Sequence, residues 1–162
     1  MLHTSQDMTA PGANEPSPIS LVIPGRPEYV GLCRLVAGVV GAREALDEES
    51  IADLKLLVTE ACTLFLYGPS GSQPGQTGTE AVPCSIRVEF GVAAEAWEIS
   101  ISDPERKHHL VGPSGADPKS EGALGLMIID ALADSVEHTE TETEGSVIRL
   151  VKRFPSSTGT DA

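Results

Sequence analysis

The chain has 162 residues and a mass of 17.0 kDa, the usual size of a single domain. Apolar residues make up 40% and charged residues 22%, so there is enough hydrophobic material for a core. The 11 Lys and Arg residues against 24 Asp and Glu residues give a formal net charge of −13. This acidity argues against nucleic-acid or anionic-membrane partners, which are bound through Lys and Arg, and favours a basic protein partner.

No apolar run approaches the roughly 20 residues of a membrane-spanning helix, and the N-terminus lacks a secretion-signal pattern, so we expect a cytoplasmic protein. The three cysteines are odd in number and lie in apolar surroundings. They are predicted to be buried reduced thiols rather than a disulfide framework or a metal site, and they are Cys33, Cys62 and Cys84. We expect a flexible tail over residues 1–17, one folded domain over 18–154 and a second tail over 155–162.

The first half of the domain begins with a short strand over Ile19–Ile23, which Pro24 ends. Apolar periodicity predicts a helix over residues 26–41, closed near Gly41. A longer helix begins at the N-cap Asp47 and runs to Gly68. Its predicted core stripe is Ile51, Leu54, Val58, Ala61 and Phe65.

A loop rich in Gly and Pro follows over residues 68–79, and alternating apolar residues then predict two antiparallel strands over 84–90 and 97–101. A long loop reaches Glu121. The remaining predicted elements are a helix over 122–135, an acidic hairpin-like segment over 137–144 and a strand over 146–151. This order predicts an α+β two-layer sandwich, with helices on one face of a mixed, mostly antiparallel sheet.

Three places could carry chemistry, and each also has an ordinary structural explanation. Glu60 lies on an otherwise apolar helix, where a carboxylate is either functional or simply solvated. Asp103 follows a buried strand, where it either faces a pocket or starts an Asp-Pro turn. The run E-G-A-L-G-L (Glu121 to Leu126) places two glycines at a helix N-terminus, which suits phosphate but also a plain helix entry.

Other features favour structural interpretations. His108 and His109 lack a third ligand at a recognisable spacing, so no metal site is predicted. The acidic run from Glu137 to Glu144 is typical of a solvated face, although it could dock a basic surface of a sigma factor. Trp97 alternates with apolar residues and is predicted to lie in the core.

Four segments in this order resemble the anti-sigma factor serine kinases of bacteria, which belong to the GHKL or Bergerat-fold ATPases. The resemblance runs from about Ile19 to Arg153, nearly the whole predicted domain, and the ordered set of segments is much more specific than any one alone. The segments are D-L-K-L-L-V-T-E-A-C-T (53–63), I-S-D (101–103), E-G-A-L-G-L-M-I-I-D-A-L-A-D-S-V (121–136) and G-S-V-I-R-L-V-K (145–152).

The resemblance implies an ATP-binding regulator that sequesters a sigma factor, phosphorylates an anti-anti-sigma antagonist and works as a homodimer, in stress-response transcription. By position, it implies that Glu60 is the general base and that Asp103 binds the adenine amino group, with Ser146 nearby. It also implies that two glycines lie near the phosphates and that an arginine on the first helix binds partners. These residues are Gly122, Gly125 and Arg34.

The chain also departs from that pattern. Relatives carry an Mg²⁺-coordinating asparagine four residues after the glutamate, where this chain has Leu64, and its only asparagine is Asn14. Glu105 replaces the glycine of the aspartate-x-glycine turn, and Ala123 replaces a further glycine of the second box. A leucine offers Mg²⁺ no oxygen, so the departure at Leu64 argues against a conventional Mg²⁺ site. Because phosphoryl transfer relies on the metal, it also argues against kinase activity.

Three functional hypotheses follow from these residues. The first is an anti-sigma factor that acts by binding and is released by its antagonist, with ATP binding degenerate. The second is an active serine/threonine kinase that uses Glu60, Asp103 and the glycine turn. The third is a scaffold that has lost both nucleotide and sigma-factor binding.

Overall fold

The structure is a computed structural model that describes residues 17–67, 85–93, 95–105, 121–143 and 145–154. The predicted tails, most of both long loops and Cys84 lie outside these residues. The strands are β1 (Ile19–Pro24), β2 (Ser85–Ala93), β3 (Ala96–Ser102), β4 (Ser135–Thr141) and β5 (Gly145–Arg153). The helices are α1 (Val30–Arg43), α2 (Glu48–Tyr67) and α3 (Glu121–Leu132), and a 3-10 turn, Pro27–Tyr29, precedes α1.

The strands form one sheet in the order β1-β2-β3-β5-β4, and all four pairings between the described strands are antiparallel. The predicted antiparallel pairing of β2 with β3 is therefore confirmed. The parallel pairing that a mixed sheet would need does not occur among these strands. The helix-covered, antiparallel sheet confirms the predicted α+β class.

The core lies between the helices and one face of the sheet. Alternate residues of β3 are buried, as the period of a half-buried strand requires, and Trp97 is among them. On α2 the predicted stripe is buried except for Ile51, which is half-buried, and Leu57 joins it at 0% exposure. The indole of Trp97 meets the ring of Phe154 edge to face, with centroids 6.1 Å apart.

The predicted end of α1 at Gly41 is wrong, because the helix continues to Arg43. It ends in a Schellman motif in which the amides of Leu46 and Ala45 donate to the carbonyls of Gly41 and Ala42, at 3.1 Å each. Ala45 takes the left-handed conformation at φ 56°. Gly41 instead allows α1 to pack closely on Ile51 of α2, because a Cβ at Gly41 would lie 3.0 Å from Cγ1 of Ile51.

The acidic segment forms more regular structure than the sequence indicates. Residues 135–141 are the edge strand β4, which pairs with β5, so the sheet has a fifth strand that periodicity did not predict. The predicted third helix is correspondingly too long, since α3 ends at Leu132. Every residue of β4 except Thr139 is exposed, which confirms the solvated face predicted for the described part of the acidic run.

Candidate functional site

Glu60 lies near the middle of α2, half-buried between the buried residues Leu57 and Ala61. Hydroxyls on the same helix are already engaged, because Thr59 and Thr63 donate to the carbonyl oxygens of Lys55 and Thr59 at 2.7 and 2.8 Å. The carboxylate is therefore the chemically available group on this part of α2.

Gly125 brings α3 against this carboxylate. A Cβ at Gly125 would lie 2.9 Å from Oε2 of Glu60, and Gly125 is buried. The glycine therefore lets the α3 backbone approach the glutamate to a distance at which a side chain would displace the carboxylate. The structure thus brings together two predicted site residues that are 65 positions apart (125 − 60). Gly122 lies in the first turn of the same helix.

Asp103 and Ser146 form a second pair at the neighbouring ends of β3 and β5. Ser102 is opposite Val147, so the register continued by one residue sets Asp103 opposite Ser146. Both follow the alternation of the buried residues of their strands and face the helices. They are the two buried polar residues of the described chain, at 2% and 0% exposure.

The Asp103 side chain shapes the turn that follows β3. One of its oxygens, Oδ1, accepts a hydrogen bond from the backbone amide of Glu105 at 2.8 Å, an Asx-turn. The predicted turn-starting role is therefore present. Burial of the carboxylate is also compatible with a role at a pocket, because an Asx-turn does not itself require burial.

Leu64 lies one helical turn after Glu60 and packs, half-buried, against the core. Its side chain offers no oxygen to a metal. Among the described residues, no group of three or more His, Cys, Asp or Glu side chains could hold a metal ion. His108 and His109 lie outside those residues.

Arg34 is exposed on α1. Sequence reasoning missed Lys55 of α2. The side chain of Lys55 lies against α1 at Gly38, where an added Cβ would be 2.6 Å from Cε and 3.2 Å from Nζ of the lysine. Only the packing of α1 on α2 reveals this contact.

Lys152 is a second residue that sequence reasoning missed. Its Nζ donates to the carbonyl oxygen of Leu132 at 2.8 Å and lies 3.6 Å from Oδ2 of Asp53. It thereby ties the end of α3 to α2 and β5. Its position among the inward-facing residues of β5, after Ile148 and Leu150, is the signal that marks it in the sequence.

Cys33 and Cys62 are buried reduced thiols, as predicted. They meet where α1 packs on α2. The hydrogen bond with Cys62 lowers the pKa of the Cys33 thiol against the effect of burial, while the same bond and burial raise the pKa of Cys62 well above its ordinary value.

The chain belongs to the histidine kinase-like ATPase domain family. The model of that family matches residues 23–152. Similar proteins include the serine-protein kinase RsbW of Bacillus pumilus, 33% identical over 129 residues, which cover 74% of this chain and 76% of the relative. The RsbW proteins of Bacillus subtilis (32% over 129 residues; 73% and 75%) and Listeria monocytogenes (31% over 130 residues; 74% and 77%) are also similar.

Membership of the family suggests that the chain binds ATP. The residues present fit the adenine end of the nucleotide, but not a conventional Mg²⁺ site at its phosphate end. A buried carboxylate beside a buried hydroxyl suits a base that carries an exocyclic amino group, so Asp103 and Ser146 fit the adenine end. At the phosphate end, Glu60 has Leu64 beside it where a second oxygen ligand would be needed, so the residues present do not fit a conventional Mg²⁺ site.

No helix among the described residues is long and apolar enough to cross a membrane.

Proposed function

We propose that this protein is a cytoplasmic anti-sigma regulator, which holds a sigma factor inactive and is released by an anti-anti-sigma antagonist. The observation that carries the proposal is the match of residues 23–152 to the family, together with similarity to RsbW proteins along three quarters of the chain. The exposed position of Arg34 supports a partner-binding role, because a guanidinium on a helix surface is open to a carboxylate of another protein. Homodimerisation is part of this proposal and rests on the family resemblance.

The binding role is placed ahead of the kinase role because of Leu64. In phosphoryl transfer the metal neutralises charge that develops on the transferred group. A leucine beside Glu60 supplies no ligand for it. Release of the sigma factor then depends on competition between partners rather than on phosphorylation of the antagonist.

A serine kinase is the second candidate, and the contact between Glu60 and Gly125 favours it. Bound ATP would supply the phosphoryl group, while Asp103 and Ser146 would bind and orient its base. Glu60 would accept the proton of a serine hydroxyl on the antagonist as that oxygen bonds to phosphorus, and ADP would leave. Gly125 would keep the carboxylate fixed by its close approach, 2.9 Å from the position of a Cβ.

Calorimetric titration with ATP and ADP, with and without Mg²⁺, separates these candidates. The binding role predicts no dependence on Mg²⁺. The variant Leu64→Asn restores an amide oxygen, and we expect it to bind ATP more tightly with Mg²⁺ than without. Incubation with labelled ATP, Mg²⁺ and the antagonist, beside Glu60→Ala, completes the comparison. Label that depends on Glu60 in the unmodified chain would overturn the ranking.

The binding role is tested with purified sigma factor and antagonist. We expect Arg34→Ala to weaken at least one of the two complexes. Arg26→Ala is the matched control, because Arg26 is an exposed arginine that already pairs with Glu28 at 3.8 Å. If Arg34→Ala left both complexes unchanged, the proposed interface would be wrong.

A further inference from the structure

Two buried thiols meet where α1 packs on α2, and neither the binding role nor the kinase role uses them. Cys33 and Cys62 are both 0% exposed, and a hydrogen bond joins them. Two sulfur atoms within hydrogen-bond reach need only a small shift of their helices to come to the distance of a disulfide bond. The pair is therefore a candidate site of reversible oxidation.

The close approach of α1 and α2 supports this geometry. A Cβ at Gly41 would lie 3.0 Å from Cγ1 of Ile51, and a Cβ at Gly38 would lie 2.6 Å from Cε of Lys55. These contacts move back along α1 as they move forward along α2, so the two helices run antiparallel. Continued toward the start of α1, the same register sets the two thiols opposite each other. Glycine at both contacts brings the helix backbones together, as a disulfide between helices requires.

The two thiols differ in reactivity. Cys33 is the fourth residue of α1, near the end where the helix dipole favours an anion. The hydrogen bond with Cys62 lowers the pKa of Cys33 against the effect of burial, whereas the same bond and burial raise the pKa of Cys62. Because the thiolate is the nucleophilic form, Cys33 is the better suited of the two to attack an oxidant.

Local opening of α1 gives a small oxidant access to the pair. Among the 14 residues of this helix, three are glycine and four are valine, so its intrinsic helix propensity is low. It packs chiefly on α2. A peripheral helix of this kind opens at a lower free energy than the whole fold. A peroxide can therefore reach thiols that are buried while the helix is closed.

We propose that Cys33 and Cys62 form a reversible disulfide that locks α1 onto α2 when a peroxide is present. The Cys33 thiolate attacks one oxygen of hydrogen peroxide, the O–O bond breaks, and the other oxygen takes a proton and leaves as water. The sulfur of Cys62 then attacks the resulting sulfenic acid. The S–O bond breaks, the S–S bond forms, and the hydroxyl leaves with the Cys62 proton as a second water. The two sulfurs lose two electrons in total, which reduce the peroxide, and a dithiol reductant reverses the change.

The bond makes the opening of α1 depend on redox conditions. In a reducing compartment the thiols stay reduced, so the disulfide marks an oxidising event. It joins the helix that carries Arg34 to the helix that carries Glu60. The inference does not rest on the proposed function, because formation of the bond needs neither a protein partner nor a nucleotide.

The test uses the full chain with Cys84→Ser, because Cys33 and Cys62 are then its only thiols. The folded protein is treated with a small excess of hydrogen peroxide, and free thiols are then alkylated in denaturant. Intact mass and peptide mapping should show the loss of two hydrogens and a bond between the pair. Dithiothreitol should restore both thiols. Cys62→Ser should stop at a sulfenic acid that dimedone traps, whereas Cys33→Ser should give neither the bond nor this adduct.

Amide hydrogen exchange measures what the bond does to the fold. The amides of α1 should exchange at least about tenfold more slowly in the oxidised protein than in the reduced one, because the bond suppresses local opening. The edge strand β4 is the internal control and should exchange equally in both. This comparison needs no cysteine variant beyond Cys84→Ser, so it stands even if a variant of the pair fails to fold.

Thiols that stay free in peroxide, a bond that forms only in denaturant or between two molecules, or equal exchange of α1 in both states would each overturn the proposal. A chain that forms the disulfide but binds no sigma factor keeps this inference and overturns the proposed function. Sigma-factor binding by a chain whose thiols resist peroxide does the reverse.

Discussion

Replacing Lys152 with methionine should destabilise the fold by more than the loss of an ordinary surface charge. Methionine keeps an unbranched apolar stem but removes the ammonium of Lys152. That ammonium donates to the carbonyl oxygen of Leu132 at 2.8 Å and lies 3.6 Å from Oδ2 of Asp53. The lysine side chain is 17% exposed, so water replaces these contacts only in part. The change therefore loosens the end of α3 from both α2 and β5.

The two contacts set the size of the effect. A hydrogen bond from a charged group contributes about 1.5–3 kcal/mol, and a partly exposed ion pair adds about 0–1 kcal/mol. We expect Lys152→Met to lower the free energy of unfolding by about 2–3 kcal/mol. Arg149→Met is the control, because Arg149 pairs with Glu98 and Glu137 but is 45% exposed, and it should cost about 0–1 kcal/mol.

Urea unfolding of the three proteins measures this difference. With a slope of about 1–3 kcal/mol per M, the Lys152→Met midpoint should fall by roughly 0.7–3 M while the slope stays the same. Equal midpoints for the two variants would refute the reasoning. They would mean that the contact with Leu132 adds nothing beyond an exposed ion pair.

Two further predictions concern the site and the start of α2. Gly125→Ala should leave stability unchanged or slightly raised through helix propensity, as in the control Gly31→Ala, where a Cβ meets nothing within 4 Å. It should also displace the Glu60 carboxylate, whose Oε2 lies 2.9 Å from the position of the added Cβ, and reduce any labelling that depends on Glu60. Full labelling with a displaced carboxylate would contradict this. The hydrogen bond from the Ser50 amide lowers the pKa of Asp47. The contribution of Asp47 to stability is therefore present above the ordinary aspartate pKa and is lost as pH falls through the lowered value. Unfolding measured against pH should lack this component in Asp47→Asn, and identical profiles for the two proteins would contradict the prediction.

Local chemistry predicted the start of α2 well. Asp47 is the N-cap, and its Oδ1 accepts from the Ser50 amide at 2.7 Å. The end of α1 was mispredicted because a glycine near the end of an apolar run indicates a stop, whereas Gly41 makes room for Ile51. Ala45 then takes the left-handed position that glycine usually occupies. Packing of one helix on another overrode the local signal.

The edge strand β4 could not be predicted from periodicity. Its residues are almost all exposed, so no alternation of apolar with polar side chains marks it. Its pairing with β5 comes from the antiparallel hairpin alone. Strands β2, β3 and β5 were predicted because each buries every second residue against the helices.

The candidate site was predicted as a set of residues rather than as a geometry. Resemblance identified Glu60 and Gly125, but their contact depends on how closely α3 packs on α2. The pairing of Asp103 with Ser146 depends on the register of β3 with β5. Lys55 was missed because its role arises from the helix that it crosses, which no spacing along the chain records.

Trp97 gives the protein a built-in optical reporter. It is the only tryptophan of the chain and is 1% exposed, and its Nε1 has no hydrogen-bond partner in the described part of the chain. It lies on β3, the strand that leads to Asp103, and its ring meets Phe154 next to the end of β5. Its fluorescence therefore follows one defined place, so loosening of the sheet can be monitored without a label.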